Sequence, residues 1–395
     1  MKKRLLLIAF TLLLSGCANP IDALTQGDDD TQIEDSRSSS SRKEKEIHYD
    51  EYFLENSSLF GLNSLSNTQQ IWYGDIENIL SSMAEEGPLN EQAISMGLTE
   101  DDIDKIFACV CIDHPEFFYV EGYSYSIHTI GDKVVGYSFA GKYTMTREEA
   151  ERRKKEIETA ADEILRGYDS AESDGSDYSK IKYLYEALIK NTEYDLSAPD
   201  NQTIYSALVG KKSVCQGYAK SMQYLLTKLG IECTLVQGIA QGQAHGWNLV
   251  KSNGQYYHLD ATWGDNSYHP ADGGASPEIL YDYMLVTTAE IKKDHIIEEI
   301  FPLPVCTATQ DNYFEREGAV FSDIDEIRLK LLFASASPAD NYQVSIKCTT
   351  KSCFDDMKEF LLDQNKIFDY YTAGGTRISY YQNEELLCLT FWVTN

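Results

Sequence analysis

Trp72, Ile76, Ile79, Leu80 and Met83 recur at helical spacing, and Gly87-Pro88 is expected to end that helix. Thr99, with Asp102 three residues on, predicts a second helix start running through Cys111. From residue 113 to 144 the pattern changes. DHPEFFYVEGYSYSIHTIGDKVVGYSFAGKYT is aromatic and β-branched, and Gly131-Asp132 marks it as a hairpin. Thr146-Arg147-Glu148-Glu149 is a capping box opening a helix to about Leu165, whose Lys/Glu-rich face reads as solvated surface. Gly175 to Asp177 breaks the pattern, and Ile181, Leu184, Tyr185 and Leu188 mark the next helix face. Thr203 to Val209 predicts a short helix or turn.

Tyr218, Met222, Leu225, Leu226 and Leu229 form the apolar stripe of a helix beginning at Cys215, and Gly230 stops it. Ile231–Val236, Ala244–Lys251 and Gln255–Asp260 read as strands, the last two joined by the two-residue hairpin signal Asn253-Gly254. Residues 266–277 read as a surface loop, and Tyr281–Val286 as a further strand. Pro302 and Pro304 mark a boundary. In the tail, strands are expected near Arg328–Ser335, Tyr342–Cys348, Arg377–Tyr381 and Leu386–Val393, with a helix near Phe354–Gln364. The chain is therefore α+β, with no internal repeats.

The amino terminus adds a compartment. Lys2, Lys3 and Arg4 precede an apolar run, Leu5–Leu14, that is too short to anchor across a bilayer. Leu14-Ser15-Gly16-Cys17 follows and resembles a bacterial lipobox, with Cys17 as the lipidated residue of the mature chain. The bland alternative is a secreted protein cut nearby. Residues 18–47 hold GDDD, SRSSSSR and KEKE with few large apolar groups, and so predict a disordered tether. The expected divisions are a signal peptide at 1–16, the lipidated cysteine and tether at 17–47, and an α+β region at 48–145. A catalytic domain at 146–300 and an α/β region at 301–395 complete them. The protein is expected on the outer face of the cytoplasmic membrane, held by lipid, or facing the periplasm where an outer membrane exists.

Composition narrows the partners. The formal net charge is −29, and about −32 once residues 1–16 are removed with Lys2, Lys3 and Arg4. Such a surface argues against nucleic acid; it would attract a basic, lysine-bearing protein substrate, although acidity alone does not identify one. Twenty-seven tyrosines suit half-buried strands better than a glycan-binding surface. Of nine cysteines, seven remain after Cys17 and Cys215 are set aside, an odd number that argues against a disulfide framework. Cys348 and Cys353 could pair, but five-residue spacing alone is a poor guide to a disulfide. Cys109 and Cys111 point apart on a helix and make a poor metal clamp. No metal site and no cofactor is expected.

Candidate chemistry gathers between Ser213 and Asp265. Cys215 begins a helix, where unpaired amides and the dipole favour a thiolate, and Lys211 and Lys212 add positive charge nearby. Its main-chain N–H is a candidate oxyanion donor, with Gln216 or Gln202 as candidates for the second. If Ser252 pairs with Gln255, Trp247 falls opposite Asp260 and His245 lies diagonally on the same face. A one-residue slip would put His245 and Asp260 on opposite faces. Cysteine, histidine and aspartate are what thiol nucleophilic chemistry needs: nucleophile, base, and a group to orient the base.

SVCQGYA, AHGWNLV and HLDATWGD resemble the three core motifs of the transglutaminase-like superfamily, whose arrangement is shared with papain-type proteases. The resemblance covers roughly residues 176–295. It implies a fold in which the helix bearing the cysteine packs on an antiparallel sheet bearing histidine and aspartate. It also implies Cys215 as nucleophile, His245 as base and Asp260 as the residue orienting His245. The calcium dependence of animal transglutaminases does not carry over, because no EF-hand spacing is present. The expected activity is attack on protein or peptide amides through a Cys215 thioester, ending in acyl transfer, deamidation or proteolysis. Cell-wall peptides are one possible substrate.

Each residue also has a plainer reading. A lone Cys215 would be a buried small hydrophobe, and Cys233 is expected to be one. Trp247 and Trp263 either wall the cleft or pack beneath it, and packing is the simpler reading. His258 is expected to be structural and Asp265 to cap a turn. His48, His114, His128, His269 and His295 carry no motif. The alternative function is a non-catalytic cell-envelope binding module that keeps the fold.

Overall fold

The computed structural model describes residues 10–11, 59–168, 174–265, 279–338, 341–371 and 377–394. Most of the expected leader, Cys17, the tether and the 266–277 loop lie outside these residues. Among the described residues no helix is long and apolar enough to cross a membrane.

The amino-terminal region is built from two helices under a hairpin. Ser66 caps the helix Asn67–Ser81 through a capping box with Gln69. That helix and the helix Ile103–Asp113 bury Trp72, Tyr73, Ile76, Phe107 and Val110 against strands Val120–Ile130 and Lys133–Tyr143. Each such side chain contributes about 1.5–3 kcal/mol of apolar burial. The hairpin turns at Gly131, whose φ is +62°. Gly87-Pro88 does not end the first helix. The helix stops at Ser81, Met83 takes φ +47°, and Gly87–Leu89 joins the sheet edge opposite Phe139 to Tyr137. An edge position tolerates Pro88 because no ladder N–H is needed there. On the other edge, Phe10 and Thr11 pair with Tyr123 and Gly122. The helix Arg147–Arg166 is capped as expected by Thr146, but Glu149 turns outward to Arg152 and Arg153 instead of closing the box.

The centre is a five-stranded antiparallel sheet: β1 Cys233–Ala240, β2 Gln243–Ser252, β3 Gln255–Leu259, β4 Met284–Val286 and β5 His295–Glu298, in spatial order β4-β3-β2-β1-β5. Asn253 and Gly254 both have positive φ, as a type I′ turn requires, and Ser252 pairs with Gln255. The expected strand over Tyr281–Val286 shortens to Met284–Val286, where Leu285 has φ +59° beside a register shift. The helix α1, Cys215–Lys228, packs across the sheet, and Asn248 Nδ2 donates to Ala219 O at 2.9 Å. One apolar core runs from Leu62 to Phe301, so the hairpin region and the central sheet share buried surface.

The tail has its own core, from Phe321 to Phe391, on a four-stranded sheet. Its strands Val344–Cys348, Arg377–Asn383 and Cys388–Thr394 match expectation. The segment expected as a strand near Arg328–Ser335 is instead a helix, Glu326–Ala334. Asp325 caps it by accepting from Ile327 N and Arg328 N at 3.0 Å, and Leu329 and Phe333 bury one helical face. The alternation in Arg-Leu-Lys-Leu suggested a strand, but the cap and the i, i+4 burial decide otherwise. Cys348 and Cys353 are both free thiols.

Candidate active site

The approach to Cys215 is pinned first. Ser213 Oγ and Val214 N both donate to Asn201 O, at 2.6 and 3.0 Å. Cys215 then takes the first position of α1, so its N–H has no acceptor within the helix. Its side chain is buried. Gln216, beside it, is buried with its carboxamide against Gly246, the neighbour of His245. Gln202 sends its carbonyl to Lys220 Nζ at 3.3 Å. The sequence nominated Lys211 and Lys212 as the positive charges near the thiol. Lys212 instead pairs with Asp195 at 3.1 Å and Glu193 at 3.3 Å, and Lys211 lies in the field of Glu163. Half-buried Lys220 is a cation whose field does reach Cys215, and it also lies near Cys111; burial lowers its pKa.

The β2–β3 hairpin brings the other two residues together. Its register puts His245 and Asp260 on one face, and His245 Nε2 lies 2.7 Å from Asp260 Oδ2. The aspartate is fixed from the other side, because Oδ1 accepts from Thr262 N at 2.9 Å and Trp263 N at 3.2 Å. Burial alone would raise its pKa, but His245 and His295 hold the carboxyl well below the usual carboxylate range. Asp260 is therefore a buried, ionised acceptor.

His295, which carried no motif, belongs to this cluster. Its Nε2 lies 3.2 Å from the same Oδ2 of Asp260, and its Nδ1 lies 2.6 Å from Asp294 Oδ1. Tyr283 donates its hydroxyl proton to the other oxygen of Asp294. Burial opposes protonation of His295, yet the bonds to Asp260 and Asp294 push its pKa up to about 9. His295 enters through β5, which pairs with β1 so that His295 faces Ala240. The separation in sequence explains why local pattern did not reveal it; only the neighbouring acid in Asp294-His295 hinted at a paired imidazole.

Trp247 and Trp263 are buried around these rings. Trp263 lies 4.4 Å from His295 and 5.9 Å from His245, and Trp247 lies 5.0 Å from His295 and 6.0 Å from His245, centre to centre. They line the site by packing rather than as an open cleft wall. Trp247 Nε1 donates to His258 Nδ1 at 3.1 Å, and His258 Nε2 lies 3.2 Å from Thr288 Oγ1. Burial, with His295 and Lys292 nearby, pushes the His258 pKa down to about 3, so this ring is neutral and structural. Asp265 is buried and accepts from the Tyr218 hydroxyl, tying α1 to the loop after β3.

His245, Asp260 and His295 set three donor atoms within 4.8 Å of one another. Two ligands of a tetrahedral zinc ion, each at about 2.0–2.1 Å, would stand about 3.3 Å apart. The 2.7 Å separation between His245 and Asp260 is that of a charge-assisted hydrogen bond, whereas His295 stands 3.2 Å from the same oxygen.

A helix-start cysteine beside a sheet that pairs a histidine with a buried carboxylate is an arrangement suited to thiol nucleophilic chemistry. The family model described as the transglutaminase-like superfamily matches residues 162–261. This segment is a transglutaminase-like domain. Kyphoscoliosis peptidase from Mus musculus is 26% identical over 106 residues, covering 22% of this chain and 16% of that protein, and the Homo sapiens protein gives the same figures. The chain thus spans about a sixth of the length of these relatives. Among solved structures, a TGase crystal structure aligns with 40% of this chain and 46% of its own, at 15% identity and a TM-score of 0.26.

Proposed function

We propose that the protein is a lipid-anchored, extracytoplasmic thiol enzyme acting on protein or peptide amides. The observation that carries this reading is the buried His245–Asp260 hydrogen bond, on a hairpin packed against the helix that Cys215 begins. In this reading the Cys215 thiolate attacks the amide carbonyl carbon. His245 takes the thiol proton and gives it to the departing ammonia or amine. The resulting thioester is opened by an amine in acyl transfer, or by water in deamidation or proteolysis. The Cys215 N–H and the Gln216 side chain are the proposed donors to the oxyanion. Asp260 stays ionised and holds His245 in register. Membrane attachment through Cys17 rests on the Leu14–Cys17 pattern.

The test is incubation of the purified protein with casein and a labelled primary amine, followed by mass spectrometry. Amine adducts mean transglutaminase, a gain of about one dalton at glutamine means deamidase, and cut chains mean protease. Each signal should vanish in Cys215→Ala. No product, together with a Cys215 that reacts with thiol probes no faster than buried Cys233, would leave the binding-module alternative.

A further inference from the structure

We infer that His295 is a positioning residue of this site: as the second partner of Asp260 Oδ2, it fixes that carboxylate and limits how much of its charge reaches His245. The inference rests on the reading of Cys215 and His245 as nucleophile and base.

One oxygen serves two rings. Asp260 Oδ1 is taken by two main-chain amides, so only Oδ2 faces the imidazoles. A single acceptor atom shared by two charge-assisted donors gives less to each than it would to one. His295 does not compete alone. Asp294 takes its Nδ1–H, and that acid is held by the Tyr283 hydroxyl. A neutral His295 could donate from only one nitrogen, yet both face carboxylates; the imidazolium satisfies both. The histidine rings are 5.4 Å apart, centre to centre, so protonated His295 presents a like charge to a protonated His245.

The surrounding groups preserve this arrangement. On β3, His258 is neutral and bonded to Trp247. Lys292 lies close enough for its charge to act on His258. Asp282 lies in the field of Asp294, and burial pushes its pKa up to about 6. Asp260 and Asp294 are the carboxylates in direct contact with His295.

The network also reaches the tail. Asn383 Nδ2, on the strand Arg377–Asn383, donates to the Tyr283 hydroxyl at 3.2 Å. A line of contacts therefore runs from Asn383 through Tyr283, Asp294, His295 and Asp260 to His245. The carboxy-terminal unit, which carries no motif of its own, thereby contributes to holding the His–Asp pair.

The test is the pH dependence of Cys215 alkylation by iodoacetamide in the purified full chain, read peptide by peptide by mass spectrometry. His295→Gln keeps a donor for Asp260 but removes the charge. Losing a cation whose ring lies 5.4 Å from that of His245, centre to centre, should move the alkaline limb of the Cys215 profile to higher pH by about one unit. Asp294→Asn leaves the ring in place but removes one carboxylate holding its proton, and should move the alkaline limb the same way by less. This second variant decides the matter should His295→Gln fail to fold. An unmoved alkaline limb in a folded variant, with Cys215 still reactive, would overturn the role of His295 alone. A wild-type Cys215 no more reactive than Cys233 at any pH would sink the thiol reading and the positioning role with it.

Discussion

Gln216 and Gly246 are fitted to each other: a Cβ on Gly246 would stand 2.8 Å from Gln216 Nε2. The glycine sits on β2 directly after His245, and Gln216 directly after Cys215. The absent side chain lets the helix start and the histidine strand approach. Gly246→Ala should push the Gln216 carboxamide aside at a cost of about 1–3 kcal/mol. If that carboxamide donates to the oxyanion, acyl transfer to a labelled amine should fall roughly 10²-fold, while Cys215 alkylation, which forms no oxyanion, should change little. Equal losses in both assays would show that the substitution disturbs the helix start itself.

Lys220 is a second handle on the thiol. It is half-buried, bonded to Gln202 O, and close enough for its charge to act on Cys215. Lys220→Met keeps most of the stem and removes the charge. The acid limb of Cys215 alkylation should move to higher pH by up to about one unit, because a nearby cation favours the thiolate. Lys212→Met should leave that limb unmoved, since Lys212 is spent on Glu193 and Asp195 at the surface. The alkylation profiles of the two variants provide the comparison.

The parts of the site legible in the sequence were the local ones. Asn253-Gly254 has one favoured turn, and that turn fixes the register that puts His245 beside Asp260. The start of α1 at Cys215 followed from the apolar stripe behind it. What escaped was non-local or ambiguous in period. His295 arrives by a strand that pairs with β1 at Ala240, across the whole of the β2–β3 hairpin and β4. Lys220 lies within α1, one turn beyond Cys215, while Lys211 and Lys212, which precede the helix, are engaged by Glu163, Glu193 and Asp195. The segment Glu326–Ala334 alternates like a strand, and only the cap at Asp325 marks it as a helix.

Stability should depend on pH through His295. Its pKa is pushed up to about 9 in the folded protein, against about 6.5 for an ordinary histidine. Its stabilising contribution is therefore complete below about pH 6.5 and is lost as pH rises through about 9. His258 behaves oppositely: its pKa of about 3 means that its contribution is present above about pH 6.5 and fades as pH falls. His295→Gln should thus cost on the order of 2–3 kcal/mol at pH 6 and much less at pH 10. Urea denaturation of wild type and variant at both values measures this. A penalty independent of pH would mean that the ring acts by shape alone.

The route by which His295 enters the site can be closed at Gly238. This residue lies on β1 opposite Ile297 of β5 and opposite His245 of β2. A Cβ there would fall 2.0 Å from Ile296 O and 2.8 Å from Trp247 Cη2. The first of these is main chain and cannot turn away, so Gly238→Ala must shift β5 off β1. Fold stability should drop by about 3 kcal/mol or more, beyond what a flexible neighbour would impose. Once β5 is displaced, the Cys215 alkylation profile of the surviving folded fraction should resemble that of His295→Gln. Gly74→Ala, in the Asn67–Ser81 helix with nothing within 4 Å of the added carbon, is the control and should stabilise by about 0.5–1 kcal/mol. A Gly238→Ala protein as stable as wild type, with His295 still protecting its share of Asp260, would show that the β1–β5 pairing yields more readily than its backbone contact implies.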